Sequence, residues 1–229
     1  MDAKERAGVW AASQVEDGMA VGLGTGSTAA YFVKEVARRV REEGLTLRLL
    51  ASSSYSTILQ ATALGLPLAT LEQVDALDLY ADGADEFDPQ KRLIKGRGAA
   101  MVREKHLVHL SKRFLVLVDP SKRVERLGTN FPVPVECLPF ASSLVQRDLL
   151  ALGAREVVVR PAGSSKDGPV VSDQGNFVVD ARFDAAGDVA GLDGAISAIP
   201  GVVGHGLFTR YSSRITVAVG HADRVEIIP

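Results

Sequence analysis

Short apolar runs alternate with helical patterns along the first half of the sequence. Residues 19–23 have the composition of a buried strand, and residues 29–40 repeat apolar side chains at helical spacing before Gly44 ends the helix. Further strands are predicted at 45–51, 75–81 and 114–118, and a further helix at 57–64. Strands that alternate with helices imply βαβ units and a parallel sheet, whose carboxyl edge carries the functional residues.

The pattern changes near Pro132, where Pro132, Pro134 and Pro139 predict a linker. After it come a helix (142–152), a strand (156–160), a hairpin (170–171 with 177–179), a helix (192–198) and a strand after Gly204. This order is typical of a ferredoxin-like split βαβ unit. The last predicted strands, 214–219 and 224–228, return to the first sheet.

We therefore predict an α/β fold with two domains. Residues 1–130 and 205–229 form a Rossmann-like domain around a mostly parallel sheet. Residues 131–204 form a smaller, ferredoxin-like α+β domain.

Composition narrows the class of protein. The 229 residues are 46% hydrophobic and 24% charged, the proportions of a globular protein with a sizeable core. A net charge of −2 argues against a nucleic-acid partner. The single Cys137 excludes an internal disulfide and favours a reducing compartment. Because neither a signal-like start nor an apolar run of about 18 residues is present, we expect a cytoplasmic protein without membrane contact.

A glycine-rich turn, Gly24-Thr-Gly-Ser-Thr-Ala29, joins the first predicted strand to the first helix. It matches the G-x-G-x-x-A dinucleotide pattern, but a dinucleotide needs an acidic residue about 20 positions on, and the next strand ends in Ala51-Ser-Ser-Ser54. Amides at a helix start and three hydroxyls favour a phosphate monoester instead. A nucleotide site and a hydroxyl-capped tight turn are the alternatives. The three hydroxyls are those of Thr25, Ser27 and Thr28.

Acidic residues follow the third strand, in the sequence Asp82-Gly-Ala-Asp85-Glu86. Two carboxylates there can exchange protons with substrate hydroxyls or hold a divalent metal, and a solvated acidic turn is the structural alternative. Because no histidine or further acidic cluster accompanies them, we favour proton exchange over metal binding.

A second anion-binding turn is predicted at Lys95-Gly-Arg-Gly98, followed by a helix over 99–111. At about 100° per residue, Glu104 falls at the centre of that helix's apolar face. A carboxylate is costly there unless it is paired, with Lys95 or Arg97, or used as a general base whose pKa burial shifts towards the working pH. We favour the base.

Lys122 closes the fourth strand and adds a cation to the same edge, unless it is an ordinary surface lysine. The whole set suits proton transfer beside the carbonyl of a small phosphorylated substrate. Glu104 would remove the carbon-bound proton, and Lys95 with backbone amides would stabilise an enediolate. The aspartates would move protons among the hydroxyls. A non-catalytic sugar-phosphate sensor and a nicotinamide-dependent dehydrogenase are the competing hypotheses.

Six segments, in this order and at these spacings, resemble the ribose-5-phosphate isomerase A family: GLGTGSTAA, ASSSYST, YADGADE, LIKGRGAAMVREK, VDPSK and AIPGVVGHGLF. The resemblance covers essentially the whole chain. It implies interconversion of D-ribose 5-phosphate and D-ribulose 5-phosphate in the pentose phosphate pathway of carbohydrate metabolism, without metal, cofactor or nucleotide. It also implies a homodimer or a dimer of dimers.

The resemblance assigns roles to residues. Glu104 is the implied proton acceptor. Together with the roles argued above, the predicted catalytic residues are Glu104, Asp82, Asp85 and Lys95. The implied substrate contacts are Thr25, Gly26, Ser27, Thr28, Asp82, Gly83, Ala84, Asp85, Lys95, Gly96, Arg97, Gly98 and Lys122. Arg97 replaces a glycine that is frequent in the family, so its side chain points away or joins the anion site. Lys4 and Arg6 both qualify as the N-terminal cation that meets phosphate in relatives.

Overall fold

A computed structural model describes residues 1–184 and 188–229. The first of its two compact units comprises Met1–Ala84, Arg103–Lys122 and Ser213–Pro229, and the second comprises Asp85–Val102 and Arg123–Ser212. The helices are α1 (Ala3–Ser13), α2 (Ser27–Glu42), α3 (Tyr55–Ala63), α4 (Met101–Leu110), α5 (Ser142–Ala151) and α6 (Val189–Ser197). The strands are β1 (Ala20–Leu23), β2 (Leu49–Ser52), β3 (Leu77–Asp82), β4 (Glu86–Phe87), β5 (Leu93–Ile94), β6 (Ser111–Val118), β7 (Val133–Cys137), β8 (Ala154–Val159), β9 (Phe177–Phe183), β10 (Val202–His205), β11 (Leu207–Phe208), β12 (Ile215–Gly220) and β13 (Val225–Ile228).

The first unit is built on a six-stranded sheet in the order β13-β12-β6-β3-β1-β2. All neighbours are parallel except the pair β12 and β13, which is antiparallel. This confirms the predicted α/β class with a mostly parallel sheet. The chain runs from β1 outwards to β2 and then returns to β3 on the other side of β1. Such a switch point opens a crevice at the carboxyl ends of β1 and β3, where ligands of open α/β sheets bind.

Helices α1 and α2 pack together in the core of this unit. Apolar positions of α2, among them Phe32, Val33 and Val36, are buried at the spacing that predicts the helix. A Cβ atom added at Gly8 of α1 would lie 2.7 Å from Cβ of Tyr31, so a glycine is needed where the two helices meet.

The second unit contains an antiparallel sheet in the order β10-β7-β9-β8 and a three-stranded sheet in the order β11-β5-β4. The elements β7, α5, β8, β9, α6 and β10 follow one another along the chain, which is the ferredoxin-like order. The sequence predicts this order but does not locate its first strand, β7. The predicted hairpin is reduced to one isolated bridge, between Val171 and Phe177. The predicted domain ranges stay a prediction, and residues 185–187 of the smaller range lie outside the described residues.

The predicted proline-rich linker is wrong, because Val133–Cys137 forms an inner strand, β7. Every residue of β7 is buried between β9 and β10. Pro134 lies opposite Asp180 of β9 and beyond the last residue that pairs with β10, a strand position that tolerates a missing N–H. The prolines obscure an ordinary apolar strand. No helix in the described ranges has the length and apolar character needed to cross a membrane.

Candidate active site

The glycine-rich turn follows β1 and contacts the end of β3. The N–H of Gly24 donates to the carbonyl of Ala81 (2.9 Å), and the N–H of Thr25 donates to Oδ1 of Asp82 (2.8 Å). A Cβ atom at Gly24 would lie 2.4 Å from Cγ of Asp82, so a side chain there would separate the two strand ends. The turn therefore lies in the crevice at the switch point.

Helix α2 begins immediately after this turn. Gly26 precedes it with a φ of 103° and supplies no side-chain cap, so the first amides of α2 keep their capacity to bind an anion. Ser27 is exposed and Thr28 is 9% exposed. These are the features of a phosphate-binding helix start.

Two lysines bring positive charge to this helix start. Nζ of Lys4 donates to Oγ of Ser27 (3.2 Å), and Lys122 ends a short 3₁₀ turn that follows β6. Burial alone would raise the pKa of Asp119, but hydrogen bonds from Ser121 and the charges of Lys122 and Lys4 hold that pKa below its usual value. Both cations therefore act on the charge of one carboxylate, Asp119.

The two N-terminal cations that the sequence leaves open, Lys4 and Arg6, have different contacts. Arg6 lies two residues after Lys4 on α1, but its guanidinium donates to the carbonyl of Ala222 (2.7 Å). Lys4 alone of the two contacts the predicted phosphate turn in the described structure.

A cluster of hydroxyls fixes Thr25. Its Oγ1 lies 2.7 Å from Oγ of Ser53 and 2.7 Å from Oγ of Ser54, at the carboxyl end of β2. Ser54 also caps α3 by accepting the N–H of Thr57, whose Oγ1 donates to the carbonyl of Gly24 (2.8 Å). The predicted site lacks Ser53 and Ser54, although the serine run at a strand end was the signal for them.

Asp82 is fully buried and accepts several hydrogen bonds. Its Oδ1 accepts the N–H of Thr25 (2.8 Å) and of Gly83 (2.7 Å), and its Oδ2 accepts the hydroxyl of Tyr80. One carboxylate thus ties the phosphate turn to the start of the acidic turn.

Tyr80 is a neighbour that sequence analysis missed, because an apolar-patterned strand gives a tyrosine no special status. Its ring is fully buried and stacks on Phe114 with 5.1 Å between centroids. Burial, and then the nearby charges of Asp82 and Glu104, raise the pKa of its hydroxyl well above the usual range. Tyr80 therefore stays protonated and acts as a donor to Asp82.

Glu104 occupies the buried face of α4, as the helical periodicity predicts. It is 5% exposed, and Met101, Leu107 and Val108 around it are buried. Its charge contributes to the raised pKa of Tyr80, so the two groups interact electrostatically. A carboxylate in such surroundings suits proton transfer more than solvation.

The Lys95–Gly98 turn belongs to the second unit. Lys95 is 3% exposed, its Nζ lies 5.8 Å from the ring centroid of Phe208, and its N–H donates to the carbonyl of Gly206 (2.9 Å). Gly96 has a φ of 113°, where a side chain would be strained. The lysine is thus held in a fixed and largely dry position.

The remaining acidic residues have distinct roles. Asp85 is partly exposed, and its Oδ2 accepts the N–H of Arg97 (2.9 Å), while the Arg97 side chain is exposed. Glu86 is fully buried and holds a loop by accepting the N–H groups of Gly128 (2.6 Å), Asn130 (2.5 Å) and Phe131 (2.9 Å).

The described residues contain no group of three or more His, Cys, Asp or Glu side chains that could hold a metal ion.

The predicted site residues therefore fall into two groups. The first unit contains Thr25, Gly26, Ser27, Thr28, Asp82, Gly83, Ala84, Glu104 and Lys122. The second unit carries Asp85, Lys95, Gly96, Arg97 and Gly98.

Known proteins resemble this chain along its length. The sequence model of the family described as Ribose 5-phosphate isomerase A (phosphoriboisomerase A) matches residues 49–223. Ribose-5-phosphate isomerase A of Thermosynechococcus vestitus is 51% identical over 90% of this chain and 87% of its own. The protein of that name from Methanoregula boonei is 46% identical over 99% of this chain and 93% of its own.

Solved structures agree with these sequence matches. Ribose 5-phosphate isomerase A of Methanocaldococcus jannaschii is 40% identical, with a TM-score of 0.92 over 98% of this chain and 97% of its own. A D-ribose-5-phosphate isomerase in complex with phospho-erythronic acid is 37% identical, with a TM-score of 0.92 over 98% of this chain and 96% of its own.

Proposed function

Because this chain belongs to the ribose 5-phosphate isomerase A family, we propose that Glu104 is the general base of its reaction. The chain is an aldose–ketose isomerase that interconverts D-ribose 5-phosphate and D-ribulose 5-phosphate. The observation that supports Glu104 is the burial of its carboxylate on the apolar face of α4, where its charge acts on Tyr80. A desolvated carboxylate is poised to accept a carbon-bound proton.

The reaction then follows as proton transfer. In the open-chain aldose, Glu104 takes the proton from C2, and the electron pair forms the C1–C2 double bond of an enediolate while the negative charge moves to O1. Lys95 and the backbone amides of its turn stabilise that charge. Glu104 returns a proton to C1, and a proton moves from O2 to O1 to give the ketose. No electrons leave the substrate, so this chemistry requires no redox cofactor.

We propose different roles for the two aspartates, Asp82 and Asp85. Asp85 is partly exposed, and it exchanges protons with the substrate hydroxyls. Asp82 is predicted from sequence to do the same, but its burial and its three donors favour a role in holding the turn. Lys4, Lys122 and the start of α2 bind the phosphate group. One relative is in complex with phospho-erythronic acid, a compound that carries a phosphate and a second anionic group.

Proton NMR in D2O tests the proposed chemistry. We expect the chelator-treated protein to convert ribose 5-phosphate to ribulose 5-phosphate, with deuterium entering at C1 of the ketose and at C2 of the recovered aldose. Conversion without any deuterium would contradict an exchanging base. Unchanged ribose 5-phosphate would favour the non-catalytic sensor, and turnover that depends on added NAD would favour the dehydrogenase.

Replacing Lys4 with Met tests the phosphate site. We expect KM for ribose 5-phosphate to rise about 10- to 100-fold, because a charge-assisted contact is lost, with little change in kcat. Arg6→Met is the matched control on the same helix, since Arg6 contacts Ala222 instead. Steady-state kinetics of both variants give the KM values to be compared. An unchanged KM in Lys4→Met, or a larger rise in Arg6→Met, would remove Lys4 from the site.

The proposal also covers the oligomeric state, the partners and the cellular compartment of the protein. The family resemblance supports a homodimer or a dimer of dimers. The net charge of −2 gives no support to a nucleic-acid partner. A buried Cys137 thiol that is in no disulfide is consistent with the reducing cytoplasm.

A further inference from the structure

An arginine outside the predicted site is fixed at the end of β8. Nε and Nη2 of Arg160 donate to Oδ2 (2.8 Å) and Oδ1 (2.6 Å) of Asp180 on β9, a two-point ion pair. The side chains are 16% and 23% exposed. Backbone hydrogen bonds also hold Arg160. Its N–H donates to the carbonyl of Val178 (2.8 Å), and its carbonyl accepts the N–H of Val170 (2.8 Å). The guanidinium therefore has little freedom to move.

The remaining guanidinium nitrogen of Arg160 contacts the Lys95–Gly98 turn. Nη1 donates to the carbonyl of Gly96 (3.0 Å) and to the carbonyl of Arg97 (2.9 Å). All peptide bonds in the described residues are trans, so each N–H points opposite to the carbonyl of its own peptide unit. The N–H of Arg97 accordingly points away from Arg160 and donates to Oδ2 of Asp85 (2.9 Å). The N–H of Gly98 is directed away from Arg160 by the same geometry.

The turn contains one internal hydrogen bond, from the N–H of Ala99 to the carbonyl of Gly96 (3.0 Å), and Arg160 adds an external restraint. Gly96 has a φ of 113° and Ala99 a φ of 59°, so left-handed residues stand on either side of Arg97 and Gly98. Glycine adopts several backbone conformations at similar cost, and the peptides around it can rotate unless other groups hold their carbonyls. Arg160 holds two successive carbonyls at once.

We propose that Arg160, held by Asp180, is a positioning residue for the isomerisation. It sets the two peptide units that orient the Asp85 carboxylate and the amides of the Lys95–Gly98 turn. This inference rests on the proposed function, in which that turn and Asp85 serve the reaction.

Kinetics of Arg160→Met test the proposal, because methionine keeps much of the aliphatic stem and removes every donor. We expect kcat to fall about 10- to 100-fold, the cost of misplacing groups at a reacting centre. Arg160→Lys should recover part of that loss. The inhibition constant of inorganic phosphate should stay within about twofold, because the phosphate ligands lie in the first unit. Arg182→Met is the matched control, since Arg182 forms an ion pair with Glu156 (3.5 Å) at the surface of the same sheet.

The outcomes separate this inference from the function on which it rests. Wild-type kcat in Arg160→Met, together with a large loss in Lys95→Met, would overturn the role of Arg160 alone. Wild-type kcat in both variants would overturn the role of the turn. An equal loss in Arg182→Met would show a general effect on the sheet and would also overturn the inference. If Arg160→Met does not fold, Asp180→Asn decides, with an expected loss in kcat of about three- to tenfold and a wild-type kcat as the contrary result.

Discussion

Replacing Glu104 with Gln is expected to lower kcat for ribose 5-phosphate by about 10²- to 10⁴-fold. Glutamine has nearly the same shape and fills the same buried space on α4, but its amide cannot accept a carbon-bound proton. KM should stay within about threefold, because the lost interaction belongs to the transition state. Steady-state kinetics give both constants, and the exchange of the C2 proton for deuterium should decline in parallel with kcat.

A structural ion pair is the competing explanation of this buried carboxylate, and it predicts a different result. Glu104→Gln would then lower the midpoint of thermal unfolding and leave kcat of the folded enzyme near the wild-type value. Glu125→Gln provides the control, because Glu125 is exposed and the same chemical change there should alter neither quantity. Full activity in Glu104→Gln would require another base.

Much of the fold follows from periodicity, because each unit buries one face of its helices and strands. The run 19–23 and the helical spacing after it correspond to β1 and α2 within two or three residues. The failure at β7 has a physical cause. Proline usually interrupts strands, but Pro134 stands where the ladder tolerates it, and its neighbours Val133 and Val135 keep the strand buried.

The site was only partly predictable, for a related reason. Glu104 stands out because a charge on an apolar helix face violates the local pattern, and the sequence therefore reveals it. Tyr80 and Arg160 violate no pattern, since a tyrosine in a strand and an arginine after one are ordinary. Their roles come from contacts with residues that lie elsewhere, such as Arg160 with Gly96, 64 positions away. Lys4 and Arg6 can be distinguished only by their contacts in the fold, since Lys4 donates to Ser27 and Arg6 donates to Ala222.

Asp82→Ala is expected to lower the free energy of unfolding by about 3–5 kcal/mol. The N–H of Thr25, the N–H of Gly83 and the hydroxyl of Tyr80 would all lose their acceptor inside the protein. Urea unfolding measures the change. Asp75→Ala is the control, because Asp75 is exposed and precedes the same strand, and it should change stability by less than about 0.5 kcal/mol.

Asp82→Asn separates the positioning role of this residue from proton transfer. Its amide oxygen can still accept the N–H groups of Thr25 and Gly83, and the Tyr80 hydroxyl can accept from the new NH2 group. If Asp82 only holds the turn, kcat should stay within about tenfold of wild type, while Asp82→Ala loses far more. If Asp82 carries a proton, Asp82→Asn should lose about 10²-fold or more, because an amide does not titrate in this range. We expect the first result, since a carboxylate that already accepts three hydrogen bonds and is sealed from solvent is poorly placed to exchange protons with a sugar.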